Sequence, residues 1–431
     1  MGREDRSARE RFDAYVGRLA DVLGHADRRE PLRAYLTGLL LPGERKSVEP
    51  MAAKLDPRRV PARHQSMHHF VANALWDERA VLAVSRDYAL AQLERHGPVQ
   101  AWVVDDTAYP KKGCHSVGVA RQYCGVLGKQ ESCQVAVTVS LVSATMSVPA
   151  AYRLYLPEGW AHDRVRREEA GIPEEVGFER KWEIALRALE TLLAGELPRA
   201  PVVADAGYGT VTAFREGIAA LGLSYAVGIL AETKLWLGQE GPLPPKRWRG
   251  RGRPPTRYRR TPRHRPRSAK ALARELPAEA WRTIRWREGA RGGMRSRFAM
   301  RRVRVAHRDQ RSATPRDPEW LLIEWPRSEP EPTKYWLSSV PEDVEITELV
   351  RLAKIRWRIE RDFQELKDEL GLDHYEGRGW RGFHHHGALC IAAYAFLAAE
   401  RARLSPPAPL AFLPPARVPK GFRPRGAPGA A

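Results

Sequence analysis

The segment PVVADAGYGTVTAFREGIAALGLSYAVGI (201–229) changes its hydrophobic pattern twice along its length. Its two ends, 201–204 and 225–229, are short apolar runs typical of buried strands. Between them, Phe214, Ile218 and Leu221 recur at helical spacing. Strand, helix and strand in this order predict a β-α-β unit, and Asp205 follows the first strand, where functional groups gather in α/β sheets.

The residues before this unit predict more of the same sheet. Apolar, β-branched runs at 101–104, 117–126 and 135–142 predict three consecutive strands joined as hairpins, and a helix is expected at about 178–195. Asp105 and Asp106 are expected to end the first of these strands. Strand runs followed by β-α-β units predict an α/β fold, more fully a mixed α+β sheet with helices packed on it.

The rest of the chain divides by composition and periodicity. Residues 246–268 hold eleven Lys or Arg and no acid, which predicts an exposed, flexible arm within a basic insertion whose strands lie near 281–286, 298–305 and 320–325. We divide the chain into a helical N-terminal region (1–98), the first part of the core (99–230), a basic β-rich insertion (231–333), the last core strand with a long helix at about 346–370 (334–404), and a disordered Pro-rich basic tail (405–431). Residues 1–98 fit a DNA-binding module and a generic helical bundle equally well.

Composition points to a polyanionic partner. The net charge is +20 and the sequence pI about 10.1, which favours nucleic acid or an anionic surface. No apolar run approaches the roughly 18 residues of a membrane span, and the charged N-terminus lacks the apolar stretch of a secretory signal. The four cysteines form neither a disulfide framework nor a zinc pattern. We therefore expect a cytoplasmic protein with reduced, mostly buried thiols and no association with a membrane.

The long helix carries a second pattern beside its apolar stripe. In RLAKIRWRIERDFQELKDELGL (351–372), Arg356 and Glu360 are four residues apart and Lys367 lies seven further on. At about 100° per residue these three side chains share a face separate from the apolar one. A carboxylate between two cations suits a phosphate-handling site, whereas the alternative is a solvated face of salt bridges.

Three motifs together resemble the DDE transposases of bacterial insertion sequences, in the branch with a Tyr-Arg-Glu-Lys helix signature. They are VVDDTAYPKKG (103–113), VVADAGYG (202–209) and IRWRIERDFQELK (355–367), and the resemblance runs from about residue 100 to 400. It implies an RNase H-like catalytic core with a β-rich insertion before the last catalytic helix.

By position, the resemblance implies that Asp106, Asp205 and Glu360 are the catalytic, metal-binding acids. Asp106 is favoured over Asp105 because Thr107 follows it. Strand alternation also supports choosing one, since neighbouring residues point to opposite faces, although a contribution from Asp105 stays open. Arg356 and Lys367 match the branch's phosphate-contacting Arg and Lys.

Further DNA contacts are expected around these acids. The branch's Tyr would stand three residues before Arg356, but here that residue is Ala353. Trp336 occupies the place of an aromatic that stacks on a flipped base, a core Trp being the alternative. In the PKKG loop, Lys111 and Lys112 are expected to face DNA, with a solvated turn as the alternative. The list of expected DNA contacts also includes Arg121.

The expected reaction is nicking at transposon ends, followed by attack of the freed 3′-hydroxyl on another strand. Two Mg²⁺ ions about 3.5–4 Å apart would serve both steps, with Mn²⁺ as a substitute. The expected partners are double-stranded terminal inverted repeats and target DNA, and the resemblance implies a homodimer in the synaptic complex and a hairpin intermediate. The alternatives are an RNase H-like nuclease and a domesticated DNA-binding protein without catalysis. The run His384, His385 and His386, with Cys390 four residues on, suggests a metal site, but adjacent helical residues point in different directions, so a structural or DNA-facing role is favoured.

Overall fold

The computed structural model describes residues 7–289, 292–311 and 316–404, so the predicted tail at 405–431 lies outside the described residues. The helices are α1 (Ala8–Asp21), α2 (Arg29–Leu40), α3 (Val48–Leu55), α4 (Val60–Ala72), α5 (Glu78–Leu93), α6 (Glu158–Ala161), α7 (Arg164–Glu169), α8 (Lys181–Ala194), α9 (Ala206–Gly209), α10 (Thr212–Ala220), α11 (Ala269–Arg274), α12 (Ile346–Lys354), α13 (Trp357–Asp368) and α14 (Trp380–Leu404). The strands are β1 (Ala101–Pro110), β2 (Ala120–Cys124), β3 (Lys129–Val142), β4 (Ser147–Leu154), β5 (Val202–Ala204), β6 (Tyr225–Ile229), β7 (Lys234–Leu237), β8 (Arg267–Ser268), β9 (Arg282–Gly289), β10 (Gly292–Val305), β11 (Glu319–Trp325) and β12 (Lys334–Ser338).

The strands form one twelve-stranded mixed sheet. The predicted β-α-β unit is present, but of the two predicted hairpins β2 and β3 form one, and β1 pairs with β3 instead of β2. β4, β3 and β1 are antiparallel neighbours, and β5 and β6 follow β1 in parallel. Three antiparallel strands continued by two parallel ones, with helices on both faces, are the arrangement of an RNase H-like core. The predicted fold class is therefore confirmed.

The insertion supplies strands, as predicted, and adds them to this same sheet. β12 pairs with β6 on one side and β11 on the other, and β10, β7 and β8 continue the order. The sequence predicts an arm that is exposed and flexible throughout, but the structure holds part of it in place. The backbone of Arg259 pairs with that of Leu243, and the His264 ring lies 4.8 Å from the Trp236 ring. The later part of the arm is therefore anchored.

Two hydrophobic cores lie on the two faces of the sheet. One face packs against α12, α13 and α14 and, beyond them, most of the N-terminal helices, while α8, α10 and α11 cover the other. The N-terminal region is helical, as predicted, and it packs closely around α14. Tyr15, for example, donates a hydrogen bond to the carbonyl of Ala392 at 2.9 Å. A role for these helices in DNA binding stays a prediction.

Three local expectations were wrong. The helix expected at 346–370 is two helices, because α12 ends at Lys354 and a tight turn at Ile355–Arg356 starts α13. Asp105 and Asp106 lie within β1, which continues to Pro110 through its pairing with β3. The strand β4 was missed because Pro149 interrupts its pattern, and the structure accommodates that proline opposite a register shift in β3.

The structure shows the state of the cysteines and the length of the apolar helices. All four cysteines are free thiols, of which Cys114 is exposed and the other three are buried. Within the part of the chain that the structure describes, no helix is both long and apolar enough to cross a bilayer.

Candidate active site

Asp105 and Asp205 emerge side by side from two neighbouring parallel strands. The parallel pairing of β1 and β5 runs from Trp102 opposite Val202 to Val104 opposite Ala204. The next residue on each strand is an aspartate, so both acids stand at the carboxyl end of the parallel part of the sheet. Such ends are where α/β proteins place functional groups.

Asp205 is held by the short helix that follows it. Its carboxylate caps α9, accepting hydrogen bonds from the amides of Gly207 at 2.9 Å and Tyr208 at 3.3 Å. A Cβ at Gly209 would lie 2.0 Å from the carbonyl oxygen of Gly228, so only glycine allows α9 this close to β6. The two glycines thereby fix the position of the Asp205 carboxylate, which is exposed.

Arg356 connects the acid of β1 with the acid of α13. Its Nη1 lies 2.6 Å from Oδ2 of Asp105, and its Nη2 lies 2.7 Å from Oε1 of Glu360. Asp105 is largely buried, with 17% of its side chain exposed, whereas Glu360 is 56% exposed. The turn between α12 and α13 makes this bridge possible, because it sets Arg356 at the start of α13 with its guanidinium towards β1.

The electrostatics of Asp105 reflect its crowded surroundings. Burial raises the pKa of its carboxyl to about 6, Arg356 opposes that rise, and nearby Asp205 and Asp106 add to it. Burial lowers the pKa of Arg356, but Asp105 and Glu360 outweigh burial and raise it overall. The site therefore concentrates negative charge that one guanidinium partly compensates, a situation that favours a bound cation.

Asp106 points to the opposite face of the sheet. It shares that face with Trp102 and Val104, which belong to the core under α8. Its Oδ2 lies 2.7 Å from Nζ of Lys181, and its Oδ1 accepts a hydrogen bond from the hydroxyl of Tyr208. Asp106 thus ties β1 to α8 and to the helix that follows Asp205, away from Arg356 and Glu360.

The four expected basic DNA contacts outside Arg356 fall into two groups. Nζ of Lys367 donates to the carbonyl of Ala108 at 3.0 Å, and Nζ of Lys111 donates to the carbonyl of Tyr375 at 3.1 Å. Burial lowers the pKa of both amines. Both lysines therefore brace the chain around β1. The remaining two, Lys112 and Arg121, are exposed to solvent, so their side chains are accessible to a ligand such as DNA.

Trp336 is a core residue in this structure. It is 8% exposed and packs in the sheet between β6 and β11, so its ring offers no free face to a base.

Beneath α12, Lys354 forms a buried ion pair with Glu324 at 2.5 Å, with exposures of 12% and 5%. The ring of Trp286, 4.3 Å from Nζ, contributes to an aromatic lining of this pair. Sequence reasoning missed it, because Glu324 lies thirty positions away in the insertion.

The three consecutive histidines are structural. His384 accepts from the amide of Leu154 at 3.2 Å and faces the carbonyl of Trp380 at 2.9 Å, as a neutral ring with one N–H would. His386 lies 2.9 Å from the hydroxyl of Tyr35. Burial lowers the pKa of His386 to about 4 and that of His384 well below its ordinary value. These rings are buried, so a DNA-facing role is excluded by this packing.

The carboxylates at the centre of the site offer the hard oxygen ligands that Mg²⁺ prefers. Within 7–289, 292–311 and 316–404, no three His, Cys, Asp or Glu side chains stand close enough together to hold a metal ion as they are. Asp105 and Glu360 are separated by the guanidinium that bridges them. The donor set thus fits a divalent cation, provided that Arg356 releases at least one of its carboxylates.

The site therefore consists of acids after adjacent parallel strands of an RNase H-like sheet and a third acid on a flanking helix. The sequence comparison identifies the family: residues 18–293 match the model of the DDE superfamily endonucleases, and the chain belongs to that family. The chain is also 31% identical over 166 residues to the probable transposase for insertion sequence element IS701 of Microchaete diplosiphon. That match spans 38% of this chain and 40% of the relative.

Among solved structures, the chain is similar to the piggyBac transposase in a synaptic complex with hairpin DNA. The superposition has a TM-score of 0.43 and 10% sequence identity, and it covers 88% of this chain and 66% of the other.

Proposed function

We propose that this protein is an insertion-sequence transposase that cuts double-stranded DNA at transposon ends and joins the freed 3′-hydroxyl to target DNA. We assign Asp105, Asp205 and Glu360 as its metal-binding acids. This assignment departs from the sequence motif, which favoured Asp106. The relatives' transposase activity and the chain's membership of the DDE family support the reaction class.

The observation that carries the assignment is the bridge made by Arg356. One guanidinium contacts both Asp105 on β1 and Glu360 on α13, and Asp205 ends the strand next to Asp105. A carboxylate on the opposite face cannot join this group without disrupting β1. Asp106 is therefore assigned as a positioning residue, which holds Tyr208 and hence the turn that carries Asp205.

The three acids and Arg356 have different roles in the proposed reaction. Asp105, Asp205 and Glu360 would hold two divalent cations, Mg²⁺ or Mn²⁺, which supply an activated oxygen nucleophile and a stabilised leaving oxygen. Without a bound cation, Arg356 counteracts the rise in pKa that burial imposes on Asp105. Once released from a carboxylate, Arg356 is free to contact a phosphate of the substrate, since its planar guanidinium suits phosphate oxygens.

The proposal includes the partners and the place of action. The substrates are the element's terminal inverted repeats and a target duplex, and two copies of the chain would bring the two ends together. The charge of +20 supplies sequence-independent affinity for DNA by counterion release. A protein acting on a bacterial chromosome would work in the cytoplasm at the nucleoid.

The test is cleavage of supercoiled DNA that carries the element's own ends, with Mg²⁺, by wild type and Glu360→Gln. Glu369→Gln, an exposed acid just beyond α13, is the matched control. End binding is measured separately in EDTA. We expect cleavage by wild type and the control, and loss of cleavage in Glu360→Gln with end binding retained.

Three other outcomes would change the proposal, the last of them in an assay of strand joining with the same DNA. Equal cleavage by wild type and Glu360→Gln would remove Glu360 from the site. Binding of the ends without cleavage by either protein would replace the transposase proposal with a DNA-binding protein that does not catalyse. Cleavage at the ends without joining of strands would indicate a nuclease.

A further inference from the structure

A strongly basic cavity lies beside the turn that carries Asp205. Its volume is about 420 Å³, and its walls come from the start of α10, the start of β7, the turn after β10 and the end of the basic arm. Arg215 links it to the candidate active site. This buried residue, 3% exposed, donates to the carbonyl of Gly209, the last residue of the helix capped by Asp205.

The charge of this basic cavity is almost entirely positive. Arg215, Lys234, Arg260 and Arg308 line it, and among the lining residues that the structure describes Asp309 is the one acid. Asp309 already accepts from Nη2 of Arg260 at 2.5 Å and from the indole of Trp236 at 2.6 Å. Lys234 also lies 3.8 Å from Glu232, and Glu319 interacts electrostatically with Arg215, but both acids lie outside the wall, which therefore carries more positive than negative charge.

Several polar groups are available to a ligand there. The side chains of Lys234 and Arg308 line the cavity and are exposed. The hydroxyls of Thr210 and Thr233 also line the cavity. Arg308 adopts a left-handed backbone conformation, φ 54°, which is uncommon for a residue other than glycine, asparagine or aspartate. Arginine and threonine donors around one cavity are suited to a tetrahedral anion with several acceptor oxygens.

The positive electrostatic potential in the cavity agrees with the binding of an anion. Burial and then the charges of Arg308, Arg316 and Arg215 lower the pKa of His307 on the cavity wall. A cationic or apolar ligand would be disfavoured in such surroundings.

We propose that this basic cavity binds a phosphate group of the DNA backbone, outside the group of acids that cuts the DNA. The proposal rests on the proposed function, since that function supplies DNA as the polyanion. The basic arm favours the DNA backbone over a free phosphate: Arg260 belongs to residues 246–268, whose other cations would contact neighbouring phosphates along the same strand. Through Arg215 and Gly209, a phosphate bound here would hold the turn of Asp205 in place.

The experiment measures binding of a fluorescein-labelled, mixed-sequence DNA duplex to the full chain in EDTA, over a series of KCl concentrations. The variant is Lys234→Gln with Arg308→Asn. Both side chains are exposed, and asparagine tolerates the left-handed conformation. The matched control is Arg95→Gln with Arg164→Gln, which removes the same charge from exposed positions elsewhere. Circular dichroism verifies that both proteins are folded.

For the cavity variant we expect affinity at low salt to fall about 10-fold, and the slope of log K against log [KCl] to decrease by about 1, as for the loss of one phosphate contact. The control should keep the slope of the wild type. An equal decrease in both double variants would overturn the proposal, because it would show only the effect of net charge. An unchanged slope in the cavity variant would overturn it too.

Inorganic phosphate separates the two sources of the anion. Thermal unfolding is compared in sodium phosphate and in sodium chloride of equal ionic strength. Stabilisation of wild type alone by phosphate, with DNA binding unaffected by the variant, would overturn the DNA assignment in favour of a free phosphate ligand. Because DNA binding is measured in EDTA, absence of cleavage by the wild type would overturn the proposed function and leave the result for the cavity independent.

Discussion

Asp105 and Asp106 are adjacent in β1, yet their carboxylates lie on opposite faces of the sheet and have no partner in common. Asp105 contacts Arg356, whereas Asp106 contacts Lys181 and Tyr208. The alternation of a β-strand makes this separation unavoidable. Consequently, substitutions of the two acids should have different effects, although the residues are chemically identical.

Asp105→Asn should abolish cleavage of the element's ends, because it removes a proposed ligand from the acid group. Asp106→Asn should reduce cleavage by only about 10–100-fold, as expected for a residue that positions a ligand-bearing segment. Cleavage rates at saturating Mg²⁺ and Mg²⁺ titrations of each variant provide the measurement. The reverse order of effects would return the first acid to Asp106.

Gly209→Ala should impair both folding and cleavage, since its Cβ would lie 2.0 Å from the carbonyl oxygen of Gly228. We expect a loss of about 1–3 kcal/mol in the free energy of unfolding, together with slower cleavage because the Asp205 turn must shift. Gly125→Ala is the control, because nothing lies within 4 Å of a Cβ there. Denaturant unfolding and cleavage assays that find the two variants alike would contradict this account of the turn.

Lys354→Met should destabilise the protein by about 3–5 kcal/mol, because it leaves the carboxylate of Glu324 buried without a partner. Adding Glu324→Gln should recover much of that loss, since the unpaired charge is then gone. Urea unfolding of the two single variants and the double variant forms the required cycle. If the single and double variants were equally unstable, the ion pair would have no special role in joining the insertion to α12.

Acid should destabilise the fold through His384 and His386. Burial lowers the pKa of both rings below 6.5, so the unfolded chain binds protons that the folded chain does not. Their contribution to stability is complete above about pH 6.5 and is lost as the pH falls towards 4, on the order of 3 kcal/mol for His386. The carboxyls of Asp105 and Asp362, whose pKa values burial raises to about 6, act in the opposite direction over this range. The measurement is therefore the difference in unfolding free energy between wild type and His386→Gln, which should shrink as the pH falls. A substitution of exposed His162 should leave the slope unchanged.

Trp336→Leu should lower the stability by on the order of 2 kcal/mol while leaving the affinity for end DNA close to that of the wild type. The ring is 8% exposed and packs within the sheet, so its loss removes packing and no surface contact. Thermal unfolding and end binding in EDTA test the two halves of this prediction. A large loss of end binding in a variant that is still stably folded would favour the base-stacking role.

The sequence predicted the order of strands around Asp205 because apolar runs and helical spacing are local patterns. It also pointed to Glu360, since the spacing of Arg356 and Glu360 is visible on one helix. The motif favoured Asp106 over Asp105, whereas the proposal from the structure takes Asp105. That choice depends on which face of β1 lies beneath α13, and this is fixed by the pairing of β1 with β5 and by packing far away in the chain.

The features that were missed share this dependence on distant partners. The turn at Ile355–Arg356 contains neither glycine nor proline, so nothing local in the sequence marks it. The burial of Trp336 follows from the packing of its face of the sheet, where Nζ of Lys354 on α12 lies 5.4 Å from its ring. The ion pair of Lys354 requires the insertion to lie in the same sheet as the core. None of these relationships is encoded within a short window of residues.

The packing of the first helices around α14 has a consequence for the newly made chain. Tyr15 bonds to Ala392, and Arg11 contacts Glu400 at 2.8 Å, so the two ends of the described chain close a common core. During synthesis, the N-terminal helices must wait for α14 to leave the ribosome before their apolar faces are covered, and contacts of such sequence separation form late. A ribosome that stalls after α13 would release a chain that contains every proposed catalytic acid but lacks the helix around which its beginning folds.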